Sequence, residues 1–266
     1  MRKKLSLILA MGCLVFSLAG CSSNKVVANK VEEEVVQTTI TIAAAASLKN
    51  CMDDELIPLF EEKYKDIKIQ TTYDSSGKLQ SQIEAGAEVN VFISAAMKQM
   101  NSLNEEGLIL EDSITELLEN KIVLIVPKDN DKEINTFEEI TKAEKIALGD
   151  PESVPAGQYA KEAFESLNMW DEVLEKASLG TNVTEVLTWV AEGSADAGVV
   201  YSTDAASNDK VEVIAEAPKD SVSKVIYPVG VIKSGEKVEQ AKIFIEFLKS
   251  DEAMKIFESY GFIESK

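Results

Sequence analysis

Histidine does not occur in this sequence, and cysteine, aromatic residues and long apolar runs are scarce. Without histidine, the chain cannot form a Ser-His-Asp or Cys-His catalytic group, a histidine-ligated metal site or a histidine general base. Basic residues are also few, 27 against 46 acidic ones, so the formal net charge is -19. Such a surface repels nucleic acid and anionic membranes, and we expect neither as a ligand.

The longest apolar run lies near the N-terminus and is typical of a targeting segment. A basic head at residues 2–4 precedes the apolar run 5–16, which is too short for a stable membrane span. The following tetrapeptide Leu-Ala-Gly-Cys, residues 18–21, resembles the bacterial lipobox, in which the cysteine is lipid-modified and becomes the new N-terminus. We therefore predict a lipoprotein signal peptide over residues 1–20 and lipidation of Cys21. A plain secretory peptide with an incidental cysteine is the alternative.

The three cysteines have different expected fates. Cys13 leaves with the signal peptide and Cys21 is acylated, so only Cys51 remains and the mature chain has no intrachain disulfide. We expect Cys51 to be a small buried apolar residue. The polar, charged segment 21–37 predicts a flexible tether, and the folded part begins at about Thr38.

From Thr38 onwards, segments with strand periodicity alternate with segments with helical periodicity. Strands are predicted at 40–45, 67–73, 89–94, 121–127 and 224–232, and helices at 48–64, 78–85, 97–105, 238–249 and 251–260. The segments 137–141, 145–149, 157–167, 183–192 and 197–201 continue the alternation. This pattern predicts an α/β fold with parallel sheets. Because about 230 folded residues are many for one doubly wound sheet, two lobes are favoured.

The sequence also predicts the burial or exposure of two further segments. The continuous β-branched run in 121–127 is typical of a strand that is buried on both faces. The acidic stretch 116–119 is interpreted as solvated surface.

Four junctions that lead into helices have residues suited to binding an anion. They are Ser47 after an alanine-rich strand, the hydroxyl-rich segment 74–79, the segment 149–157 with Pro155 at a first helical position, and the segment 179–183. The free N–H groups at a helix N-terminus face outward and favour negative charge. Each junction alone is equally consistent with an ordinary helix cap, and spacing does not show whether the four meet.

Several longer blocks together resemble the molybdate-binding protein family of bacterial ABC uptake systems. The likeness runs in order from about Thr39 to Phe262, and the blocks that carry it are 44–48, 75–95, 149–163, 198–205 and 253–262. The resemblance implies a two-lobed periplasmic-binding-protein fold of type II, with the ligand in the cleft between the lobes.

The resemblance also implies how the chain divides between the lobes. The first lobe is expected to comprise residues 38–122 and 224–266, and the second lobe residues 123–223. The chain then crosses between the lobes twice.

The resemblance implies that the oxyanion is held by hydroxyl and backbone N–H donors. The expected donors are Ser47, Ser76, the backbone of Ala156 and Val183, and the hydroxyl of Tyr201. By position the second serine is Ser76 and not Ser75. Molybdenum then enters only as molybdate, or tungsten as tungstate, without a direct bond between metal and protein, and no cofactor is expected.

Neutral donors suit a dianion that has no proton, because hydroxyls and helix N-termini offer what its oxygens accept. Phosphate keeps a proton near neutral pH and needs an acceptor, whereas sulfate has to be rejected by size. Asp74 and Asp150 could serve as that acceptor, but we expect them to hold their own loops through Asx-type hydrogen bonds. The ammonium group of Lys78 is expected on the surface.

The expected protein is a monomeric binding lipoprotein on the extracytoplasmic face of the cell membrane, and not an enzyme. It is attached only through Cys21 and delivers its anion to the permease of an ABC transporter.

Three alternatives stay open. The same fold could bind another oxyanion, such as sulfate. A serine acyl enzyme could use Ser75 and Lys78 as an S-x-x-K motif, with 233–235 as a relaxed K-T-G. A structural lipoprotein would bind no ligand at all.

Overall fold

The structure is a computed structural model that describes residues 37–130, 132–233 and 236–266. The predicted signal peptide, Cys21 and all of the tether except Gln37 lie outside these residues. Within the described ranges, no helix combines the length and the apolar character needed to cross a membrane.

Strands of the described chain form two sheets. The strands are β1 Thr38–Ala45, β2 Ile67–Asp74, β3 Val91–Ile93, β4 Thr115–Glu119, β5 Ile122–Pro127, β6 Ile146–Gly149, β7 Ala177–Gly180, β8 Ala197–Tyr201, β9 Val211–Glu216, β10 Ile226–Val231 and β11 Ile263–Glu264. The first sheet has the order β11-β4-β10-β3-β1-β2, and the second has the order β7-β6-β8-β5-β9.

Helices connect most of these strands. They are α1 Lys49–Cys51, α2 Ile57–Lys63, α3 Ser76–Glu84, α4 Met97–Glu105, α5 Pro155–Ser166, α6 Trp170–Glu175, α7 Val183–Ala191, α8 Ser202–Ala206, α9 Val238–Leu248 and α10 Asp251–Ser259. Short 3₁₀ turns lie at Ala46–Leu48, Glu111–Ser113 and Glu138–Lys142.

The predicted helix 48–64 is helical up to Lys63 but not uniform. A π-helical segment, Met52–Leu56, lies between α1 and α2. Pro58 is in the first turn of α2 and has no N–H to donate. Because its ring would also crowd the carbonyl four residues earlier, a wider turn just before it relieves the conflict.

The chain passes between the sheets at two places. Only Asn120 and Lys121 separate β4 of the first sheet from β5 of the second. The return runs from β9 in the second sheet to β10 in the first. The lobe boundaries expected at residues 122 and 224 stay predictions.

The prediction of parallel sheets is wrong, since both sheets are mixed. β1 pairs in parallel with β2 and β3, and β6 pairs in parallel with β7 and β8. β10 and β5 are antiparallel to all of their partners. A parallel pair needs a crossover connection, whereas β5 enters directly from the other sheet after two residues. It starts beside the carboxyl end of β8, where Ile122 pairs with Tyr201, and therefore runs in the opposite direction.

The interpretation of residues 116–119 as solvated surface holds for the acidic side chains and not for the two leucines between them. These residues lie in β4, where Leu117 and Leu118 are buried between Glu116 and Glu119. The two leucines pack into the core, while the acidic residues remain more accessible. The expectation of a strand buried on both faces is confirmed for β5, in which the five residues before Pro127 are buried.

Cys51 is buried in the core, as predicted, at 1% exposure. Its thiol donates a hydrogen bond to the Leu48 carbonyl at 3.1 Å. Burial raises the pKa of this thiol to about 12. Cys51 is therefore a packing residue that holds its proton at neutral pH.

Candidate functional site

A small cavity lies between the carboxyl ends of the parallel strands of the two sheets. Its volume is about 10 Å³. The residues predicted as ligand donors all line it: Ser47, Ser76, Ala156, Val183 and Tyr201. Ser47 and Ser76 come from the first sheet and its helices, and the other three from the second. The structure therefore brings together residues that are up to 154 positions apart in the chain.

The first wall of the cavity is built by the alanine-rich end of β1. Ala43, Ala44 and Ala45 are at most 3% exposed, and their small side chains allow neighbouring backbone to approach. Ser47 follows in the 3₁₀ turn, where the chain leaves the sheet. Its Oγ is 2.9 Å from the hydroxyl of Tyr227.

Ser76 is the first residue of α3 and is fully buried. Its Oγ accepts a hydrogen bond from the backbone N–H of Ala95 at 3.0 Å. Because this bond uses a lone pair of the oxygen, the hydroxyl proton of Ser76 remains available for a ligand in the cavity.

Two polar residues that the sequence did not assign to the ligand also line the cavity, Asp74 and Ser75. Ser75 is 3% exposed, and its hydroxyl has no hydrogen-bond partner among the described residues. An unpartnered buried hydroxyl is costly, so it marks a place where a ligand atom would be stabilising. The adjacent pair Ser75-Ser76 is the only sequence signal for this second hydroxyl, and it does not say which serine faces the cavity.

Asp74 is occupied by its own loop, as predicted. Its Oδ1 accepts from the backbone N–H of Ser75 at 2.8 Å and lies 3.4 Å from the ammonium group of Lys78. Asp150 also holds its loop, since its Oδ1 accepts from the backbone N–H of Glu152 at 3.0 Å. Lys78 is half-exposed in its ion pair with Asp74. The one acidic side chain at the cavity is therefore balanced by a neighbouring cation.

The second wall contributes the N-termini of two helices. In α5, Pro155 is the first residue and Ala156 the second. In α7, Val183 is the first residue, and the cap Asn182 accepts from the backbone N–H of Glu185 at 3.0 Å. The first N–H groups of a helix have no carbonyl partner within the helix. The backbone amides of Ala156 and Val183 therefore have no partner within their helices, and both residues line the cavity.

Tyr201 ends β8 and is 1% exposed. Its hydroxyl lies 3.5 Å from the Ala95 carbonyl, at the limit of a hydrogen bond, so it can turn to a better acceptor. Burial raises the pKa of Tyr201 well above 10, and the phenol keeps its proton. It is therefore a donor at any physiological pH.

The two lobes touch directly beside the cavity. The backbone N–H of Gly77 in α3 donates to the carbonyl of Ser153 at 2.9 Å. Gln99 and Gln158 form a second, longer contact at 3.4 Å. These bonds join the first sheet and its helices to the second, so the structure represents a closed arrangement in which the cavity is shielded.

The electrostatics of the cavity follow from what lines it. Among the described lining residues there is no lysine, arginine or histidine, and the polar groups are hydroxyls, backbone amides and the paired Asp74. Such a wall can hold an acceptor-rich anion through hydrogen bonds and helix dipoles. Positive side chains would have to lose their hydration in this enclosed space, and neutral donors avoid this cost.

The geometry does not support an acyl enzyme. In an S-x-x-K site the lysine amine lies beside the serine hydroxyl, whereas here Lys78 is paired with Asp74 and the Ser75 hydroxyl has no partner among the described residues. Of the K-T-G-like segment 233–235, only Lys233 is described, and the other two residues lie outside the described ranges.

The sequence profile of the family described as "Bacterial extracellular solute-binding protein" matches residues 40–263. YvgL of Bacillus subtilis (strain 168) is 44% identical over 98% of this chain and 99% of its own. It is named, provisionally, as an ABC transporter substrate-binding lipoprotein. The molybdate-binding protein ModA of Escherichia coli (strain K12) is 38% identical over 84% of this chain and 88% of its own.

A solved structure shares the fold. The periplasmic molybdate-binding protein of Azotobacter vinelandii superimposes with a TM-score of 0.75 at 20% identity, over 85% of this chain and 100% of that chain. Together with the two sheets and the cleft between them, this likeness confirms the predicted α/β, two-lobed periplasmic-binding-protein fold of type II. The profile match and the identities to relatives over most of the chain place it in one family: this chain belongs to the bacterial extracellular solute-binding proteins.

Proposed function

We propose that the chain captures molybdate or tungstate outside the cytoplasm and delivers it to the permease of an ABC importer. The observation that carries this proposal is the convergence of Ser47, Ser76, Ala156, Val183 and Tyr201 on one cavity without a basic side chain. The sequence identity to a protein named for molybdate binding supports the choice of anion.

A tetrahedral dianion without a proton offers only acceptors, and each of the five positions offers a donor. Hydrogen bonds to a charged group contribute about 1.5–3 kcal/mol each, and the helix N-termini of α5 and α7 add about half a positive charge each. Molybdate and tungstate have the same charge and shape, so the wall has no means to separate them strongly.

Discrimination against other anions has two physical sources. Phosphate at neutral pH carries at least one proton, and an unpaired proton against a wall of donors costs about 1–3 kcal/mol. Sulfate carries no proton, but it is smaller, and the donors of a closed cavity cannot all come within hydrogen-bond distance of its oxygens. Rejection of sulfate therefore depends on how rigidly the closed lobes keep the donors apart.

Capture depends on closure, because the donors belong to both lobes. An open form would present only part of the set, so the anion stabilises the closed form by its additional contacts. The bond between Gly77 and Ser153 adds to the closed state. The permease can then recognise the closed molecule. No cofactor and no partner subunit enters this mechanism.

The test is a panel of oxyanions against the purified chain. Molybdate or tungstate at about 1,000 times its dissociation constant should add about 4 kcal/mol to the free energy of unfolding. That corresponds to a rise in melting temperature of roughly 10 °C for a chain of this size. Sulfate and phosphate should produce little shift. A shift with sulfate alone would assign the site to sulfate, and flat curves for every anion would contradict ligand capture.

Side-chain variants test whether the melting-temperature shifts arise from anion binding in this cavity. Ser47→Ala and Ser76→Ala should remove most of the molybdate shift, and Ser76→Ala should weaken binding more than Ser75→Ala. Lys78→Ala is the control outside the donor set; it removes only a half-exposed ion pair with Asp74, worth about 0–1 kcal/mol, and should keep most of the shift. Equal losses for Ser75→Ala and Ser76→Ala would mean that the hydroxyl of Ser75 binds the anion as well.

We also propose that Cys21 anchors the mature chain to the outer face of the cell membrane. The lipobox-like residues 18–21 and the relative named as a lipoprotein support this proposal. Cells that express the chain and grow on tagged palmitate should yield labelled protein, and Cys21→Ser should abolish the label. Unlabelled protein in the culture medium would contradict the anchor.

A further inference from the structure

A buried hydrogen-bond network lies behind Ser47, outside the cavity. Tyr227, in β10, is fully buried, and its hydroxyl is 2.9 Å from Ser47 Oγ. Asn120, between β4 and β5, is 7% exposed, and its Nδ2 is 3.4 Å from the same Tyr227 hydroxyl. Asn120 Nδ2 also lies 2.9 Å from Thr203 Oγ1 of α8. The network thus connects a cavity hydroxyl of the first lobe to Asn120, in the segment where the chain first changes sheets, and to α8.

The orientation of the Asn120 amide follows from one backbone group. The N–H of Lys121 can only donate, and it donates to Asn120 Oδ1 at 2.8 Å. The hydroxyl of Ser202 lies 2.9 Å from the same oxygen and also donates to it. Because Oδ1 is fixed as the acceptor, the amide cannot be flipped, and Nδ2 must give its two protons to Thr203 and Tyr227.

The hydrogen bonds of Tyr227 connect Asn120 to the cavity. Tyr227 Oη receives a proton from Asn120, and burial keeps the pKa of Tyr227 well above 10, so this phenol has its own proton to donate. Its close partner is Ser47 Oγ at 2.9 Å, a distance that fits donation in either direction, and we assign the Tyr227 proton to Ser47, so that Ser47 accepts. Ser47 is left with one proton and directs it away from Tyr227, toward the cavity.

We propose that Tyr227 and Asn120 are positioning residues that fix Ser47 as a donor to the bound anion and thereby select anions that carry no proton. This inference rests on the proposed function and adds to it a specificity device behind the ligand contacts. A freely rotating serine could also accept from a protonated oxyanion. With the Tyr227 proton on one of its two lone pairs, Ser47 keeps its own proton for the anion and has a single lone pair left, so accepting from a protonated anion competes with donating to it.

Other ionisable groups lie close to the network. The rings of Tyr201 and Tyr227 are 5.5 Å apart, and Tyr159 lies beyond Tyr201 at 6.5 Å. Asp204, in α8, is 6% exposed, and burial raises the pKa of its carboxyl to about 7. Since a pH series would titrate Asp204 at the same time, the test compares anions at one fixed pH.

The experiment measures dissociation constants for molybdate and for hydrogen arsenate by calorimetry at pH 8, where both are dianions and only arsenate carries a proton. Tyr227→Phe should weaken molybdate binding about tenfold. Hydrogen arsenate should bind as before or more tightly, because Ser47 can then accept its proton. The ratio of the two dissociation constants should therefore fall at least tenfold. Tyr159→Phe removes another buried hydroxyl outside the network, so it is the matched control and should leave the ratio unchanged.

A double variant tests whether Tyr227 acts through Ser47 or whether its replacement damages the site in general. If Tyr227 acts through Ser47, adding Tyr227→Phe to Ser47→Ala should change neither dissociation constant further. Two outcomes would overturn the positioning role of Tyr227 and leave the proposal of molybdate capture intact. One is that Tyr227→Phe weakens the binding of both anions equally, and the other is that the losses in the double variant are additive. A wild-type chain that binds no oxyanion would overturn the proposed function and this inference together.

Discussion

Replacing Val183 by proline should reduce the affinity for molybdate about 100-fold and leave α7 intact. Proline removes the one backbone N–H that this position would give to the anion. A hydrogen bond to a charged group is worth about 1.5–3 kcal/mol, and the proline ring would also occupy the place of the lost proton. The helix should tolerate the change, because Val183 is its first residue, where proline is favoured. The preceding Asn182 is already extended, as a residue before proline prefers.

The measurement is molybdate titration by calorimetry, together with the melting temperature of the unligated variant. Asp251→Pro is the matched control, because Asp251 is the first residue of α10 and follows the extended cap Ser250. It should keep the wild-type affinity. A Val183→Pro chain that folds and binds within threefold of wild type would show that this amide does not donate to the anion.

Several elements could be predicted from the sequence because their local pattern is strong. The helix predicted at 97–105 has those bounds in the structure, and the segment 197–201, which continues the alternation, is strand β8. Each has a periodicity that agrees with its burial. The strands β4 and β9 were missed for the opposite reason. β9 is largely exposed at the edge of its sheet, and charged residues interrupt the apolar pattern of both strands.

The mixed sheets show a different limit of sequence reasoning. Periodicity identifies a strand but says nothing about its neighbours. β5 was correctly predicted as buried on both faces, yet its direction depends on the two-residue connection from the other sheet. The inference of parallel sheets assumed that every connection is a helix-containing crossover, and the passages between lobes break that assumption.

The candidate site could also be predicted only in part. Helix caps and a serine at a strand end are visible in the sequence, but their meeting point depends on the tertiary fold. The resemblance to a known family supplied the five positions, and the cavity contains all of them. Asn120 and Tyr227 could not be singled out, because an asparagine between two strands and a tyrosine in a buried strand are ordinary residues. Only the hydrogen-bond directions make them distinctive.

Gly157→Ala should destabilise the chain by about 3 kcal/mol or more, although alanine is the better helix former. Gly157 is in the first turn of α5, where helix propensity alone would favour alanine by about 1 kcal/mol. A Cβ at this position would lie 2.0 Å from the Gly149 carbonyl oxygen and 2.5 Å from its carbon. Both atoms are backbone at the end of β6, so neither can move aside as a side chain could.

The contact also links stability to the proposed ligand site. To accept the methyl group, α5 must move away from β6, and the amide of Ala156 moves with it. The loss of molybdate binding should therefore accompany the fall in unfolding free energy, measured by denaturant titration. Gly193→Ala is the control, since its φ of +71° makes alanine strained while no atom lies within 4 Å of the added carbon. It should cost about 1 kcal/mol and leave binding unchanged. A Gly157→Ala chain as stable as wild type would mean that α5 and β6 are not in this close contact, and that Ala156 lacks the support from β6 that aims its amide at the anion.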